Sequence, residues 1–209
     1  MITITAPSRE THYLAAIHSI MRLSFTACLL TLVAGCGAPS FNGVALEPPE
    51  PAPALRLTDS TGAPFDLAQQ KGKVVLVFFG YTHCPDVCPT TLVDWRHAAD
   101  SLGAKAADTR FVFVSVDPER DTPAIAQRYA ARFSPAFVGL TGTRTVIDST
   151  MFAWRIASFR DGGAGDSSAT YTVSHPSQVF VVDRSGRLRV MHRAGLTPAQ
   201  IAADIRALL

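Results

Sequence analysis

Two runs of apolar, β-forming residues constrain the fold of this chain more than any other feature. They are Val74 to Phe79 (VVLVFF) and Phe111 to Val116 (FVFVSV). A strand that is apolar at consecutive positions must be covered on both faces, as strands are in the parallel sheets of α/β proteins. The runs therefore predict two buried, central strands of one sheet.

Helical patterns and shorter strand patterns surround these runs. The sequence predicts further strands at 54–59, 65–67, 136–140, 179–182 and 188–191, a turn at 183–186, and helices after the first run, at 122–133, at 144–154 and from 197 onward. Residues 160–172, rich in glycine and serine, are expected to form a loop. Alternating strands and helices imply right-handed parallel crossovers, and the closing hairpin adds an antiparallel edge. The order resembles the thioredoxin fold: an α/β class protein with a central mixed sheet, flanking helices, and a C-terminal β-hairpin and helix.

The first 35 residues have the layout of an export signal. After Met21 a single Arg22 precedes an apolar stretch, Leu23 to Val33, that is too short to span a bilayer as a stable helix. The stretch leads into Ala34-Gly35-Cys36, which resembles the lipobox of bacterial lipoproteins. We expect translation to begin at Met21, because residues 1–20 do not fit this layout, and we expect a lipid on Cys36 after cleavage. An ordinary secretory signal and an uncleaved anchor remain as alternatives.

The leader defines three segments of the chain. Residues 1–35 are the signal, residues 36–53 are a proline-rich tether, and residues 54–209 are expected to form one thioredoxin-like domain. This organisation predicts a membrane-anchored, extracytoplasmic (periplasmic) lipoprotein. The net charge of +2, without a basic run, argues against a nucleic-acid partner.

Cys84 and Cys88 directly follow the first apolar run, in the segment HCPDVCP. One close pair cannot be the disulfide framework of a domain this size, so the pair indicates redox chemistry, metal binding, or neither. A helix is expected to begin beside it, at Pro85 or at Pro89, and the start of a helix lowers the pKa of a nearby thiol. Redox proteins of thioredoxin fold usually separate the cysteines by two residues. The three residues between Cys84 and Cys88 relax the pair toward a spacing that could hold a metal.

Two thiolates rarely complete a metal site, so a third ligand is expected, and the chain has six histidines that could supply it. His175 is the candidate, because in a thioredoxin fold the loop before the strand at 179–182 faces the dithiol. His83 adjoins Cys84, but neighbouring residues on an extended chain point apart, and we expect it to tune the thiols rather than bind metal. The others are expected to lie in the leader or to be surface or core residues: His12, His18, His97 and His192.

The ligand types of this group bear on the choice of metal. Two soft thiolates and an imidazole suit Cu(I), and with a water or backbone ligand added they could hold Cu(II). Zinc also accepts two cysteines and a histidine. For a tethered protein outside the cytosol, copper delivery is the more natural function.

Three blocks of the sequence resemble the Sco/SenC family. They are GYTHCPDVCP at 80–89, VSVDPERDTP at 114–123, and the His175 loop, which lies eight residues before Asp183. The resemblance covers roughly Leu55 to Leu208. It implies a thioredoxin-like fold with Cys84, Cys88 and His175 as copper ligands.

The same resemblance implies assembly of the dinuclear copper site of cytochrome c oxidase, by copper transfer, by thiol reduction of the target cysteines, or both. Its expected partners are the apo copper subunit of that oxidase and other copper chaperones or a thiol reductase. Asp117 and Asp121 are expected to shape the loop beside the site through hydrogen bonding and helix capping. Pro176 departs from the serine or threonine usual in the family, and it stands where thioredoxin relatives place a cis-proline.

Three other functions are alternatives to copper delivery. An extracytoplasmic thiol-disulfide oxidoreductase would cycle the pair as a disulfide without needing His175; the wide spacing counts against it and Pro176 counts for it. A peroxiredoxin-like peroxidase matches at 87–90 but needs threonine or serine at the position of Pro85 and proline at that of Tyr81. A copper sensor would need an output domain, which the sequence does not suggest. A conventional enzyme is therefore not expected, although the dithiol could act as a reductase.

Overall fold

The structure, a computed structural model, describes residues 40–161 and 171–209. The described strands are β1 Val44–Pro51, β2 Arg56–Thr58, β3 Pro64–Asp66, β4 Val74–Gly80, β5 Thr109–Ser115, β6 Val138–Leu140, β7 Phe159–Asp161, β8 Thr172–Ser174, β9 Val179–Val182 and β10 Arg187–His192. The helices are α1 Val87–Leu102, α2 Pro123–Ala131, α3 Arg144–Ala153 and α4 Pro198–Leu208, with short 3-10 turns at Leu67–Gln70 and Gly103–Asp108. No helix among these residues is long and apolar enough to cross a membrane.

The two apolar runs lie side by side at the centre of a six-stranded sheet of order β1-β10-β9-β4-β5-β6. Strands β4, β5 and β6 are parallel, whereas β9, β10 and β1 are added in antiparallel pairs. Shorter antiparallel pairs, β2 with β3 and β7 with β8, lie outside this sheet. The arrangement confirms the expected α/β, thioredoxin-like fold with its closing hairpin and helix.

Alternate residues of β4 enter two different cores. Val74, Leu76 and Phe78 pack with apolar residues of α1, α2 and α4, whereas Val75, Val77 and Phe79 pack with α3. All seven residues of β4 are buried. Both faces of the strand are therefore covered, which is why its sequence is apolar without alternation.

The expected tether is wrong for residues 44–51, which form the edge strand β1 paired with β10. The prolines of this segment suggested a free linker, but proline is tolerated in an edge strand because one side of that strand makes no ladder bonds. The register shifts between Ala45 and Glu50, where the prolines lie. Pairing with β1 also covers an edge that β10 would otherwise expose.

A buried carboxylate fixes the chain just before β1. Asp204 of α4 accepts hydrogen bonds from the backbone N–H groups of Asn42 at 2.7 Å and Gly43 at 3.0 Å, and from the Asn42 side chain at 2.8 Å. His192 lies 2.9 Å from the same carboxylate. A Cβ on Gly43 would lie 2.6 Å from Val190 Cγ1, so the close approach requires glycine. We call Asn42, Gly43, His192 and Asp204 the N-terminal clamp.

The loop expected at 160–172 begins and ends in a β-hairpin. Phe159–Asp161 pairs with Thr172–Ser174, and residues 162–170 lie outside the described part. The Thr172 and Ser174 hydroxyls both donate to the Asp161 carboxylate, at 2.7 Å and 3.0 Å. Such short strands held by side chains leave no periodic pattern, and the sequence therefore suggested only a loop.

Candidate metal centre

The dithiol loop, residues 81–86, connects the end of β4 to the start of α1. The helix begins at Val87, between the two predicted starts, and Asp86 occupies its N-cap position. Pro89 falls in the first turn, where its missing N–H removes no helical hydrogen bond. Cys84 therefore lies in the loop and is half-buried, whereas Cys88 is the second residue of the helix and fully buried.

Glycine at the end of β4 makes room for the second thiol. A Cβ on Gly80 would lie 2.6 Å from Cys88 Sγ and 3.0 Å from the Phe113 ring. Any larger residue would push the sulfur or the ring away. The strand end and the helix start thus meet at Cys88.

The structure brings Cys84, Cys88 and His175 together. Their candidate ligand atoms all lie within 4.8 Å of one another. The backbone N–H of Cys88 donates to Cys84 Sγ at 3.4 Å, and Cys88 Sγ lies 3.4 Å from His175 Nε2. Residues 87 positions apart in the chain therefore form one cluster of two sulfurs and a nitrogen.

The ring of His175 is held with one nitrogen free for a ligand. It lies edge-on to Phe78 and Tyr81, with centroids 5.8 Å and 5.5 Å away. His175 Nδ1 lies 3.1 Å from the backbone carbonyl of Pro176, and because a carbonyl can only accept, Nδ1 carries the proton. The lone pair of Nε2 then faces the sulfurs, which is how a metal-binding histidine is usually oriented.

The two thiols differ strongly in acidity. The hydrogen bond from the Cys88 thiol lowers the pKa of Cys84 to about 4, and the N–H groups of Asp86 and Cys88 also lower it, against the opposing effect of burial. Burial raises the pKa of Cys88 far above its ordinary value, and the neighbouring Cys84 adds to that rise. Without metal, the pair therefore carries one negative charge, on the more accessible sulfur.

A buried aspartate in the segment between β5 and α2 supports the dithiol loop. Asp121 accepts from the Thr82 backbone N–H at 2.8 Å, and also from the hydroxyls of Thr82 and Ser115. The hydrogen-bonding expectation for Asp121 thus agrees with the structure, but the cap of α2 is the side chain of Thr122, which accepts from Ile125 N–H. Asp121 anchors the loop because its carboxylate has no route to water and must find donors.

Asp117 connects the same region to Tyr171, the residue just before β8. Its carboxylate accepts from Tyr171 Oη at 2.6 Å and from Arg120 Nε. The Arg120 guanidinium lies 3.5 Å from the centroid of the Tyr171 ring and 5.7 Å from that of Tyr81. The sequence did not single out Phe78, Tyr81, Arg120 or Tyr171; Tyr81 and Arg120 lie inside the recognised blocks, which is the signal that could have found them.

Among the described residues, the other three histidines are not part of the cluster. His83 is largely exposed, with Nδ1 3.2 Å from Thr82 Oγ1 and 3.8 Å from Asp121 Oδ1. His97 is exposed on α1, and His192 is buried against Asp204. His12 and His18 lie outside the described residues, as does Cys36. The expected cis bond at Pro176 is not found: in the described residues the cis peptide bond precedes Pro48.

Comparison with known proteins gives consistent matches. A sequence profile described as SCO1/SenC matches residues 46–209. A SCO2-like protein of Rickettsia felis is 34% identical over 133 residues, which cover 64% of each chain, so the match spans about two thirds of that relative's length.

Two solved structures resemble the described fold. Apo Sco1 from Thermus thermophilus matches with a TM-score of 0.73 at 37% identity, over 83% of this chain and 100% of that one. Copper-bound ScoI from Bradyrhizobium japonicum matches with a TM-score of 0.68 at 36% identity, over 75% of this chain and 98% of that one. Since the family profile spans most of the chain and the fold agrees with it, this protein belongs to the SCO1/SenC family.

Proposed function

We propose that this protein binds one copper ion through Cys84, Cys88 and His175 and delivers it to the dinuclear copper site of cytochrome c oxidase. The observation that carries the proposal is the convergence of two sulfurs and one imidazole nitrogen within 4.8 Å. This donor set is soft and suits Cu(I), and with one added ligand it could accommodate Cu(II). The copper held by the related ScoI supports the same cargo here.

The unequal exposure of the ligands suits a metal that is passed on. Cys84 is half-buried and offers a side from which a thiolate of the target can approach the copper, whereas Cys88 lies beneath it. Transfer would proceed by ligand exchange, each new bond to a target thiolate replacing one bond to this site. Because burial raises the pKa of Cys88, its sulfur takes up a proton as the copper leaves, and release is coupled to protonation.

We also propose that the protein works outside the cytosol, anchored by a lipid on Cys36. The lipobox-like Ala34-Gly35-Cys36 after an apolar stretch supports this location. The apo copper subunit of the oxidase would be the target, with copper chaperones or a thiol reductase acting before it. Mass spectrometry of the mature N-terminus tests the anchor: an unmodified residue other than Cys36 would exclude it.

The copper proposal is tested by stoichiometry and affinity of the reduced protein, with wild type measured beside His175→Ala. We expect one tightly held copper in the wild type and at least about a 100-fold lower copper affinity in the variant. Removing a residue that only hydrogen-bonds to a metal ligand already lowers affinity by up to about 100-fold, and losing a ligand itself should cost at least as much. His97→Ala is the matched control, since that ring is exposed on α1. Binding that is indifferent to His175 would refute the three-ligand site.

Delivery needs its own experiment. Copper-loaded protein is mixed, under reducing conditions, with the apo copper subunit of the oxidase, and the metal content of both is measured after separation. Transfer is expected from wild type. Failure to metallate the subunit would remove delivery while leaving copper binding in place.

A second candidate function is favoured by the asymmetry of the thiols. An accessible thiolate of low pKa beside a buried thiol is the arrangement of a dithiol reductant, in which Cys84 attacks a target disulfide and Cys88 resolves the mixed disulfide. Two electrons pass to the target and the pair becomes a disulfide. His175→Ala separates the functions, because it should weaken copper binding yet leave thiol exchange largely intact.

A further inference from the structure

The strand that leads to His175 is not part of the six-stranded sheet. Strand β8 ends at Ser174 and pairs with β7 in a two-stranded sheet of its own. The next strand, β9, begins only at Val179. Val173 of β8 is buried in an apolar core, and polar contacts hold Tyr171, the residue just before the strand. These contacts therefore contribute to where the His175 ring lies.

The polar contacts of Tyr171 converge on Arg120, which lies between β5 and α2. Arg120 Nη1 donates to the Tyr171 backbone carbonyl at 2.9 Å, and the guanidinium carbon lies 3.5 Å from the centroid of the Tyr171 ring. Arg120 Nε donates to the Asp117 carboxylate, which also accepts from Tyr171 Oη at 2.6 Å. Tyr171 is thus held at its carbonyl, its ring and its hydroxyl by this arginine and the carboxylate paired with it.

The same guanidinium also lies over the dithiol loop. Its carbon is 5.7 Å from the centroid of the Tyr81 ring, a distance within the cation–π range. Tyr81 is the first residue of that loop; its carbonyl accepts from the Cys84 N–H at 3.3 Å, and its ring lies edge-on to His175. Only 14% of the Arg120 side chain is exposed, and cation–π contacts are strongest away from water. Arg120 therefore bridges the segment that carries His175 and the loop that carries Cys84.

We propose that Arg120 is a positioning residue for His175. It holds the His175 segment against the dithiol loop, so that His175 Nε2 faces the two sulfurs before copper is bound. A guanidinium suits this role, because its planar fork donates to a carboxylate and a carbonyl while its face lies on an aromatic ring. A lysine ammonium would keep the charge beside Asp117 but has no plane to lie on Tyr171. The inference rests on the proposed function only in taking His175 and the two cysteines as copper ligands.

Arg160 provides a matched comparison for this role. Its guanidinium carbon also lies over the Tyr171 ring, at 4.5 Å, and its side chain is paired with Glu119 at 2.9 Å. Arg160 belongs to β7, however, in the same hairpin as β8. Among the described residues, the cation–π contact to Tyr81 comes from Arg120. An Arg160→Lys change therefore removes a similar ring contact without touching the bridge to the dithiol loop.

The first test uses the copper-free full chain and NMR of the aromatic rings. In the wild type we expect nuclear Overhauser contacts between the ring protons of His175 and Tyr81, since the ring centroids are 5.5 Å apart. Arg120→Lys should lose these contacts, whereas ring contacts within the apolar core should persist. Arg160→Lys should keep both. Undiminished contacts between His175 and Tyr81 in Arg120→Lys, or an equal loss in Arg160→Lys, would overturn the proposal.

The second test measures copper affinity. Replacing a residue that orients a metal ligand lowers affinity about 10- to 100-fold, and we expect a loss of about tenfold for Arg120→Lys and no change for Arg160→Lys. In a His175→Ala background, Arg120→Lys should cause no further loss, because a positioning residue acts through the ligand that it positions. Wild-type affinity in Arg120→Lys, or a further loss of similar size in the His175→Ala background, would refute the assignment.

If Arg120→Lys does not fold, Tyr171 supplies a second pair of variants. Tyr171→Leu removes the ring beneath the guanidinium but leaves the pair of Arg120 and Asp117 in place, and it should lose the contacts between His175 and Tyr81. Tyr171→Phe keeps the ring and should retain more of those contacts. Wild-type contacts in a folded Tyr171→Leu variant, or equal losses in the two variants, would refute the role of Arg120.

These outcomes are separable from those of the proposed function. If the wild type did not bind copper, the proposed function would fail, yet the ring contacts of the copper-free protein would still decide the role of Arg120. If copper binding and delivery held while neither the ring contacts nor the affinity depended on Arg120, only the positioning role would fall.

Discussion

His175 and His192 lie at the same end of the sheet, yet their rings are held in opposite ways. His192 on β10 pairs with Val179 on β9, and Val179 pairs with Phe78 on β4. The ring of Phe78 in turn packs against the ring of His175. His175 donates from Nδ1 to a carbonyl and turns Nε2 toward Cys88, whereas His192 donates from Nε2 to the Asp204 carboxylate. The comparison shows that the partner of one ring nitrogen decides what the other can do.

The N-terminal clamp and the candidate metal centre share one feature: in each, a buried aspartate accepts hydrogen bonds from a distant segment of the chain. Asp204 holds Asn42 and Gly43, and Asp121 holds Thr82. In the clamp the bonds secure an edge strand, while beside the candidate metal centre they position the loop that carries Cys84. We therefore expect substitutions in the clamp to change stability, and substitutions near Asp121 to change copper affinity.

The largest effect is expected for Asp204→Ala. The change leaves the buried His192 N–H and the backbone donors of Asn42 and Gly43 without an acceptor, and removing one member of a buried polar pair costs about 3 kcal/mol or more. Denaturant unfolding of the copper-free protein should show that loss, with copper affinity unchanged in the folded fraction. His175→Ala should behave in the opposite way, losing copper but less than about 1 kcal/mol of stability. A clamp variant that lost copper affinity would break the comparison.

Asp121→Asn tests the role of the second buried aspartate, which holds the dithiol loop. The amide retains one acceptor but replaces the second with a donor, so the Thr82 hydroxyl must turn from donating to accepting, and the negative charge that strengthens the bonds from Thr82 and Ser115 is lost. We expect copper affinity to fall about tenfold, as for other groups that orient a metal ligand. Asp148→Asn is the control, because that carboxylate is exposed on α3. Equal copper affinities for the two variants would show that the loop does not depend on Asp121.

Alanine substitutions at two glycines, one in each region, extend the comparison with a smaller expected loss of stability. Gly43→Ala would place a Cβ 2.6 Å from Val190 Cγ1, and Gly80→Ala would place one 2.6 Å from Cys88 Sγ. Each should lower the free energy of unfolding by about 1 kcal/mol through overpacking. Only Gly80→Ala should also weaken copper binding, which isothermal titration of both variants would reveal. A copper defect in Gly43→Ala would contradict the separation of the two regions.

The smallest expected effect is the change in the ionisation of the Cys84 thiol, and hence in its reactivity, with pH. Its pKa is lowered to about 4, so its ionisation stabilises the folded protein fully above the ordinary thiol pKa, and that contribution is lost as the pH falls through about 4. Alkylation of Cys84 by iodoacetamide should be constant between about pH 5 and 8 and should halve near pH 4. In urea the rate should instead follow an ordinary thiol pKa of about 8.5. A tenfold rise per pH unit in the native protein would exclude the lowered pKa.

Local patterns were sufficient to predict most of the fold. The apolar runs predicted β4 and β5, and the helices predicted from 122 and from 197 begin there in the structure, where Thr122 and Thr197 cap α2 and α4. The patterns failed where pairing depends on a distant partner. The prolines of residues 44–51 argue against a strand and predict a tether, and only pairing with the free edge of β10 makes this segment strand β1.

The sequence by itself determined that two thiols follow a buried strand at the start of a helix, because hydrophobic pattern and spacing are local properties. Cys84 and Cys88 could therefore be identified from the sequence, and the expected thioredoxin-like fold added His175, which the Sco/SenC resemblance also implies. Only the tertiary structure decided which ring nitrogen faces the sulfurs, and that His192 belongs to the clamp. The reason is physical: a histidine's behaviour depends on the groups around its ring, and those come from far along the chain, as Asp204 does for Asn42 across 162 positions.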